Sequence, residues 1–137
     1  MSETVRVSEV DGVGWITLNR PEAMNAITVE LGAALEQALA ELADRARVVV
    51  IRGAGGNFCV GGDFKELQEL RSRGEGAMRE LFVNFGRACA SIARLRIPVV
   101  AKPVPLWALN PFACSNWVVI SATSSCSVNS FAPTTMA

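Results

Sequence analysis

The hydrophobic and polar positions at the start of the chain alternate, which predicts a two-stranded hairpin. Residues 4–10 read T-V-R-V-S-E-V, and the alternation resumes over residues 13–18. A period of two is typical of a strand that buries one face. Asp11 and Gly12 lie between the two runs and predict the hairpin turn.

Apolar residues then recur with the period of a helix. Leu31, Leu35, Ala38 and Leu42 follow one another at intervals of four, three and four, which predicts an amphipathic helix with Thr28 as its N-cap. A second helix is predicted to open at Asp63, with Glu66 in the spacing of a capping box. A third ends before Pro98, and its apolar face carries Leu81, Phe85, Ala88, Ile92 and Leu95.

Two further strands and a short extended segment complete the pattern. Residues 47–52 (RVVVIR) form a β-branched run, as expected of a strand buried on both faces. Residues 98–101 (PVVA) predict another strand, and residues 58–62 a short extended segment after a turn at residues 53–57. The alternation of strands and helices indicates an α/β fold.

Composition narrows the possible settings and partners. The 137 residues fit one domain, and the 13 basic residues balance the 13 acidic ones. This balance gives no electrostatic footprint for nucleic acid or an anionic membrane, so neither is an expected partner. Residues 1–10 lack the apolar core of a signal peptide, and no apolar run is long enough to span a bilayer. We therefore expect a cytoplasmic protein.

The cysteines do not indicate a metal site. Cys59, Cys89, Cys114 and Cys126 are widely separated, and the chain has no histidine. Zinc sites use close Cys and His pairs, so we expect no metal. A nucleophilic role for Cys59 would need a base that histidine usually supplies.

The turn at residues 60–63 (V-G-G-D) is the part of the chain best suited to chemistry. Two glycines permit a sharp bend and the close approach of a ligand to the backbone. The following helix presents unsatisfied N–H groups at its first turn, and the Gly62 amide is placed to donate to a developing oxyanion. On spacing alone, the simpler interpretation is an ordinary strand-to-helix turn with an N-cap. Two nucleotide-binding motifs fail: Phe58 stands where G-x-G-x-x-G needs its third glycine, and no P-loop occurs.

Five segments together resemble the enoyl-CoA hydratase/isomerase (crotonase) family, over about residues 4–101. They are residues 14–21 (GWITLNRP), 24–26 (MNA), 48–53 (VVVIRG), 57–65 (NFCVGGDFK) and 97–101 (IPVVA). The resemblance implies the N-terminal portion of a crotonase-like spiral of ββα units, here incomplete. It also implies an acyl-CoA thioester as ligand, with coenzyme A part of the substrate and no separate cofactor, and assembly as a homotrimer or hexamer.

The same resemblance implies roles for individual residues. Gly62 would be catalytic, supplying the first amide of the oxyanion hole, and Lys65 would lie near the CoA phosphates. The alternative for Lys65 is an ordinary solvated helix residue. The other residues implied to surround the bound CoA thioester are Met24, Asn25, Ala26, Val60, Gly61, Asp63 and Phe64.

The chain departs from the family pattern near Ala101. No acidic residue follows Glu80, no glycine follows Gly86 and no basic residue follows Lys102. The family's second oxyanion glycine and its catalytic glutamates therefore have no counterparts. We divide the chain into a crotonase-like region, residues 1–101, and a departing tail, residues 102–137. A reading-frame change or premature end near Lys102 is one hypothesis, and it predicts that another frame of the encoding DNA restores those residues.

Three functions remain open from the sequence. The first is a family member that binds acyl-CoA thioesters and stabilises an enolate oxyanion, with full hydratase activity in doubt. The second is a non-catalytic acyl-CoA-binding fragment, or an interaction partner of an intact homologue. The third is a small structural α/β domain.

The stretch at residues 113–121 weakly resembles the family's next strand, with Asn116 where an aspartate is common.

Overall fold

The computed structural model describes residues 3–102 and the backbone of residues 118–120. Three helices and five strands follow one another along these residues, with a short 3₁₀ helix at Pro21–Ala23. They are β1 (Val5–Val10), β2 (Val13–Leu18), α1 (Val29–Leu42), β3 (Val48–Gly53), α2 (Phe64–Arg73), α3 (Glu75–Arg94), β4 (Val99–Lys102) and β5 (Val118–Ile120). The predicted α/β class is confirmed.

The strands form one mixed sheet in the order β1-β2-β3-β4-β5. The hairpin of β1 and β2 is antiparallel, as the alternating pattern predicts, and Asp11 and Gly12 at its turn both have positive φ. Strands β2, β3 and β4 are parallel neighbours, with Ile51 of β3 aligned with Ile16 on one side and Ala101 on the other. Strand β5 pairs antiparallel with β4.

The core lies between helices α1 and α3 and one face of the sheet. All four residues of the predicted apolar stripe of α1 are buried, together with Leu39. They pack with side chains from β2, β3 and β4, among them Ile16, Val49 and Val99. Val50 on the opposite face of β3 is also buried. The prediction that β3 is buried on both faces is therefore confirmed.

Helices α2 and α3 meet at Gly74, whose φ of 99° is accessible chiefly to glycine. Helix α3 ends at Arg94, before Pro98 as predicted, and its stripe faces the core through Leu81, Ala88 and Leu95. No helix among the described residues is long and apolar enough to cross a membrane.

The extended segment predicted at residues 58–62 is only partly correct. A single β-bridge, between Ile27 and Gly62, forms there instead of a strand. Gly61 has a φ of 104° in this segment, which breaks the regular extended geometry that a strand requires. Most of the tail (residues 103–117 and 121–137), including Asn116, Cys114 and Cys126, lies outside the described residues.

Candidate functional site

The peptide unit at Gly62 is fixed by two hydrogen bonds from a neighbouring loop. The Ile27 N–H donates to the Gly61 carbonyl at 2.7 Å, and the Asp63 N–H donates to the Ile27 carbonyl at 2.9 Å. This is the pattern of a parallel bridge, in which the partner bonds the residues on either side of the bridged one. Ile27 therefore holds Gly62 between two bonds without using the polar groups of Gly62 itself.

The Gly62 N–H points away from Ile27, because it lies opposite the Gly61 carbonyl across a planar trans peptide bond, and that carbonyl faces the Ile27 N–H. No residue among 3–102 accepts a hydrogen bond from it. Gly62 is also exposed. A main-chain donor is thus held in a fixed orientation at the surface, one residue before the N-cap of α2.

This turn lines an open cleft of about 530 Å³. Seven of the nine residues implied by the family resemblance lie on its wall, so the structure brings the loop after β2 and the start of α2 together. The complete wall is Arg20, Glu22, Ala23, Met24, Ala26, Val60, Gly62, Asp63, Phe64 and Lys65.

Exposed apolar side chains form much of the surface around this cleft. Phe64 is 72% exposed, Val60 53% and Met24 50%. Large apolar side chains left in water beside a concave surface are typical of ligand sites. Lys65, at the second position of α2, is exposed at the same place and adds a cation to the wall.

Asn25 and Gly61 are the two implied residues that do not line the cleft. Asn25 is completely buried, and its φ of 56° places it in the left-handed region that Asn tolerates. Its side-chain N–H₂ group donates to the carbonyls of Ala54 and Asn57, and its Oδ1 accepts from the Arg20 N–H. Asn25 therefore fastens the loop to the turn after β3.

Arg20 joins the two sides of the cleft. Its Nη1 donates to the Ala26 carbonyl at 2.6 Å, and its Nη2 donates to Asp63 Oδ2 at 2.8 Å. The other carboxylate oxygen of Asp63 accepts from the N–H groups of Lys65 and Glu66, which confirms Asp63 as the N-cap of α2. The Arg20 guanidinium and these amides hold the pKa of Asp63 below its ordinary value.

Glu66 does not complete the capping box that its spacing predicts. Its carboxylate accepts instead from the N–H of Val29, the first residue of α1, at 3.1 Å. The Asp63 N–H, which the box would use, is already bonded to Ile27. Glu66 is also half-buried, and burial raises its pKa. Glu69, Glu75 and Glu80 are exposed.

Sequence reasoning missed three residues of the wall: Arg20, Glu22 and Ala23. Glu22 and Ala23 belong to the 3₁₀ helix that leads into Met24, so their proximity follows once Met24 is placed. The place of Arg20 on the wall could not be predicted in this way, because it depends on a partner, Asp63, that lies 43 residues away in the chain.

Comparison with known protein families shows to which family this chain is related. A sequence model of the enoyl-CoA hydratase/isomerase family matches residues 13–102. The chain belongs to this family. A Mycobacterium bovis protein named probable enoyl-CoA hydratase echA8 is 32% identical over 101 residues, covering 72% of this chain and 37% of that protein. The mitochondrial 3-hydroxyisobutyryl-CoA hydrolase of Rattus norvegicus is 35% identical over 94 residues, covering 64% of this chain and 24% of the hydrolase.

Solved structures of the enoyl-CoA hydratase/isomerase family confirm the predicted crotonase-like fold. AtuE of Pseudomonas aeruginosa matches with a TM-score of 0.70 and 36% identity, over 74% of this chain and 40% of that one. An enoyl-CoA hydratase/isomerase from Mycobacterium paratuberculosis matches with a TM-score of 0.67 and 35% identity, over 75% and 42%. This family member thus spans well under half the length of the relatives that it matches.

Proposed function

We propose that this chain binds an acyl-CoA thioester in the cleft and holds the thioester carbonyl oxygen on the Gly62 N–H. The observation that carries the proposal is the orientation of this N–H. It lacks an acceptor among residues 3–102, although the Gly61 carbonyl and the Asp63 N–H on either side of it are both bonded to Ile27. Family membership supports the choice of ligand class.

The proposed contact would polarise the thioester. A donor fixed before the ligand arrives needs little reorganisation as negative charge develops on the carbonyl oxygen during enolate formation. Such a donor is worth about 3–4 kcal/mol towards an oxyanion in a water-excluded site. Towards the neutral carbonyl, a hydrogen bond contributes only about 0.5–1.5 kcal/mol. The amide therefore favours the enolate over the bound thioester.

The rest of the cleft suits the remaining parts of such a ligand. Met24, Val60 and Phe64 offer apolar contact to the acyl or pantetheine portion, and exposed Lys65 offers a point charge to a CoA phosphate.

Sequence content favours a second candidate, binding without hydratase turnover. Hydration requires positioned carboxylates, which contribute about 10²–10⁴-fold as general acids and bases. Residues 81–137 contain no Asp or Glu. Asp63 has both of its oxygens engaged and a lowered pKa, which makes it a poor base at neutral pH. A non-catalytic acyl-CoA-binding protein, or a partner of an intact homologue, fits these residues.

A pair of matched ligands tests the contact. Butyryl-CoA and its thioether analogue S-butyl-CoA differ in the carbonyl oxygen, so their affinity ratio, measured by calorimetry, reports what that oxygen contributes. We expect the thioester to bind about 2–10-fold more tightly. Gly62→Pro, which deletes the N–H, should bring the ratio close to one.

Gly62→Ala is the matched control. It keeps the N–H but adds a Cβ, which would lie 3.0 Å from Cδ1 of Leu67, a side-chain end that moves readily. The ratio should survive in this variant. An unchanged ratio in Gly62→Pro would refute the proposed contact. Crotonyl-CoA hydration, measured on the same samples, separates the two candidates: binding without turnover favours the second.

A further inference from the structure

We infer that Arg20 is a positioning residue for the Gly62 amide, acting through Ala26 and Asp63 and not through the ligand. The inference rests on the proposed function, because it concerns the aim of the amide that would contact the thioester. Arg20 lies within the family-like segment at residues 14–21, but the sequence assigns it no role.

The contacts of Arg20 surround the Gly62 peptide on both sides. Nη1 bonds the carbonyl of Ala26, the residue immediately before Ile27, and Nη2 bonds Asp63, the residue immediately after Gly62. Ile27 in turn makes the two backbone bonds that flank Gly62. The guanidinium thus closes a ring of contacts in which the orientation of the Gly62 N–H is determined.

Burial restricts the movement of the contacts that Arg20 makes with Ala26 and Asp63. The side chain of Arg20 is only 19% exposed and that of Asp63 only 13%. Ala26 is 6% exposed, so its carbonyl has little access to a replacement donor from water. A planar guanidinium with two fixed donors holds two acceptors at a set separation, which a single ammonium does not reproduce.

The geometry also argues against a direct role for Arg20 in binding phosphate. Nη1 donates to a main-chain carbonyl and Nη2 to a carboxylate, so the guanidinium is already paired with an anion. A ligand phosphate would have to compete with Asp63 for the same guanidinium. Exposed Lys65 offers a cation on the same wall.

The test compares three ligands on four proteins. Free CoA, S-butyl-CoA and butyryl-CoA are titrated into the wild type, Arg20→Met, Asp63→Asn and Arg45→Met. Asp63→Asn removes the charge partner of Arg20 but keeps a residue that caps helices well. It therefore tests the contact between Arg20 and residue 63 without removing the N-cap of α2. Arg45→Met is the matched control, because it removes an exposed ion pair of Glu41 with Arg45, away from the cleft wall.

We expect Arg20→Met and Asp63→Asn each to lower the thioester-to-thioether affinity ratio from about 2–10-fold towards one. Affinity for free CoA should stay within about twofold of the wild type, and the Arg20→Met/Asp63→Asn double variant should lose no more than either single change. Arg45→Met should leave all three affinities unchanged. If Arg20→Met fails to fold, Asp63→Asn decides the question by itself.

Two results would overturn the inference alone. One is an equal loss of affinity for all three ligands, which would make Arg20 a direct ligand contact. The other is an unchanged ratio in Arg20→Met and Asp63→Asn while Gly62→Pro abolishes it. An unchanged ratio in Gly62→Pro itself would instead remove the proposed function, and this inference with it.

Discussion

Helices α1 and α2 each begin two residues after one side of the bridge between Ile27 and Gly62, but their first amides are satisfied to different extents. At α1, the Leu31 N–H donates to the Thr28 hydroxyl at 3.1 Å, and the Val29 N–H donates to Glu66, a side chain from the other helix. Both donors lie in partly buried or buried surroundings. This helix start is closed by side chains from two elements.

The start of α2 is left partly open. Asp63 caps the N–H groups of Lys65 and Glu66. The N–H groups of Gly62 and Phe64, however, find no acceptor within residues 3–102, and both residues line the cleft. Buried amides are almost always paired, so a free one persists where water or a ligand reaches it. A helix start therefore marks a candidate site only when its neighbours leave donors unused.

Removing the N-cap of α2 should have the largest effect on stability. Asp63→Ala removes the acceptor of two amides and leaves the half-buried guanidinium of Arg20 without its ion-pair partner. We expect the free energy of unfolding, measured with urea, to fall by about 2–3 kcal/mol. Asp63→Asn, which keeps the cap, should lose less than half of that. Equal losses in the two variants would show that the cap contributes nothing.

Removing the N-cap of α1 should lower the stability less and should leave ligand binding unchanged. Thr28→Ala removes the hydroxyl that caps Leu31 and should cost about 1 kcal/mol of unfolding free energy. Thr28→Ser keeps the hydroxyl and should lie close to the wild type. The thioester-to-thioether ratio should be unchanged in both variants, because the α1 start contributes no residue to the cleft wall. A ratio altered by Thr28→Ala would mean that the two helix starts are coupled.

The third change, Glu66→Gln, should have the smallest effect and depend on pH. Burial raises the pKa of Glu66, so the folded state favours the neutral carboxyl group over the ionised one. The wild type therefore becomes less stable as pH rises above the ordinary pKa of a glutamate and this group ionises. Glutamine keeps an oxygen for the Val29 N–H but carries no charge. The stability of Glu66→Gln relative to the wild type should therefore be greater at pH 7 than at pH 3.5.

Glu69→Gln serves as the control for removing a negative charge from α2, since Glu69 is exposed on the same helix. Its effect at each pH is subtracted from that of Glu66→Gln. If the remaining difference has the same value at both pH values, burial does not govern the ionisation of Glu66.

Much of the fold follows from local pattern, because the forces that form hairpins and amphipathic helices act between near neighbours. The alternation in β1 and β2 and the spacing from Leu31 to Leu42 were sufficient to predict those elements. The N-cap role of Asp63 follows for the same reason, since it bonds amides only two and three residues away.

The correction at Glu66 and the omission of Arg20 concern contacts between distant parts of the chain. Glu66 bonds a residue 37 positions away, and Arg20 bonds one 43 positions away. The capping-box spacing of Glu66 therefore competes with a partner that the local sequence does not reveal. Asn25 illustrates the same limit, because the two carbonyls that accept from its side chain, at Ala54 and Asn57, belong to another turn.

The most direct test of the proposed role of Gly62 follows the carbonyl group itself. Butyryl-CoA labelled with ¹³C at the thioester carbon is bound to the wild type and to a protein carrying glycolic acid in place of Gly62, which exchanges the N–H for an ester oxygen and adds no side chain. Isotope-edited infrared difference spectra then report the carbonyl stretch of the bound ligand. We expect the band at lower wavenumber in the wild type, because a donated hydrogen bond weakens the C=O bond. Identical band positions in the two proteins would contradict the contact.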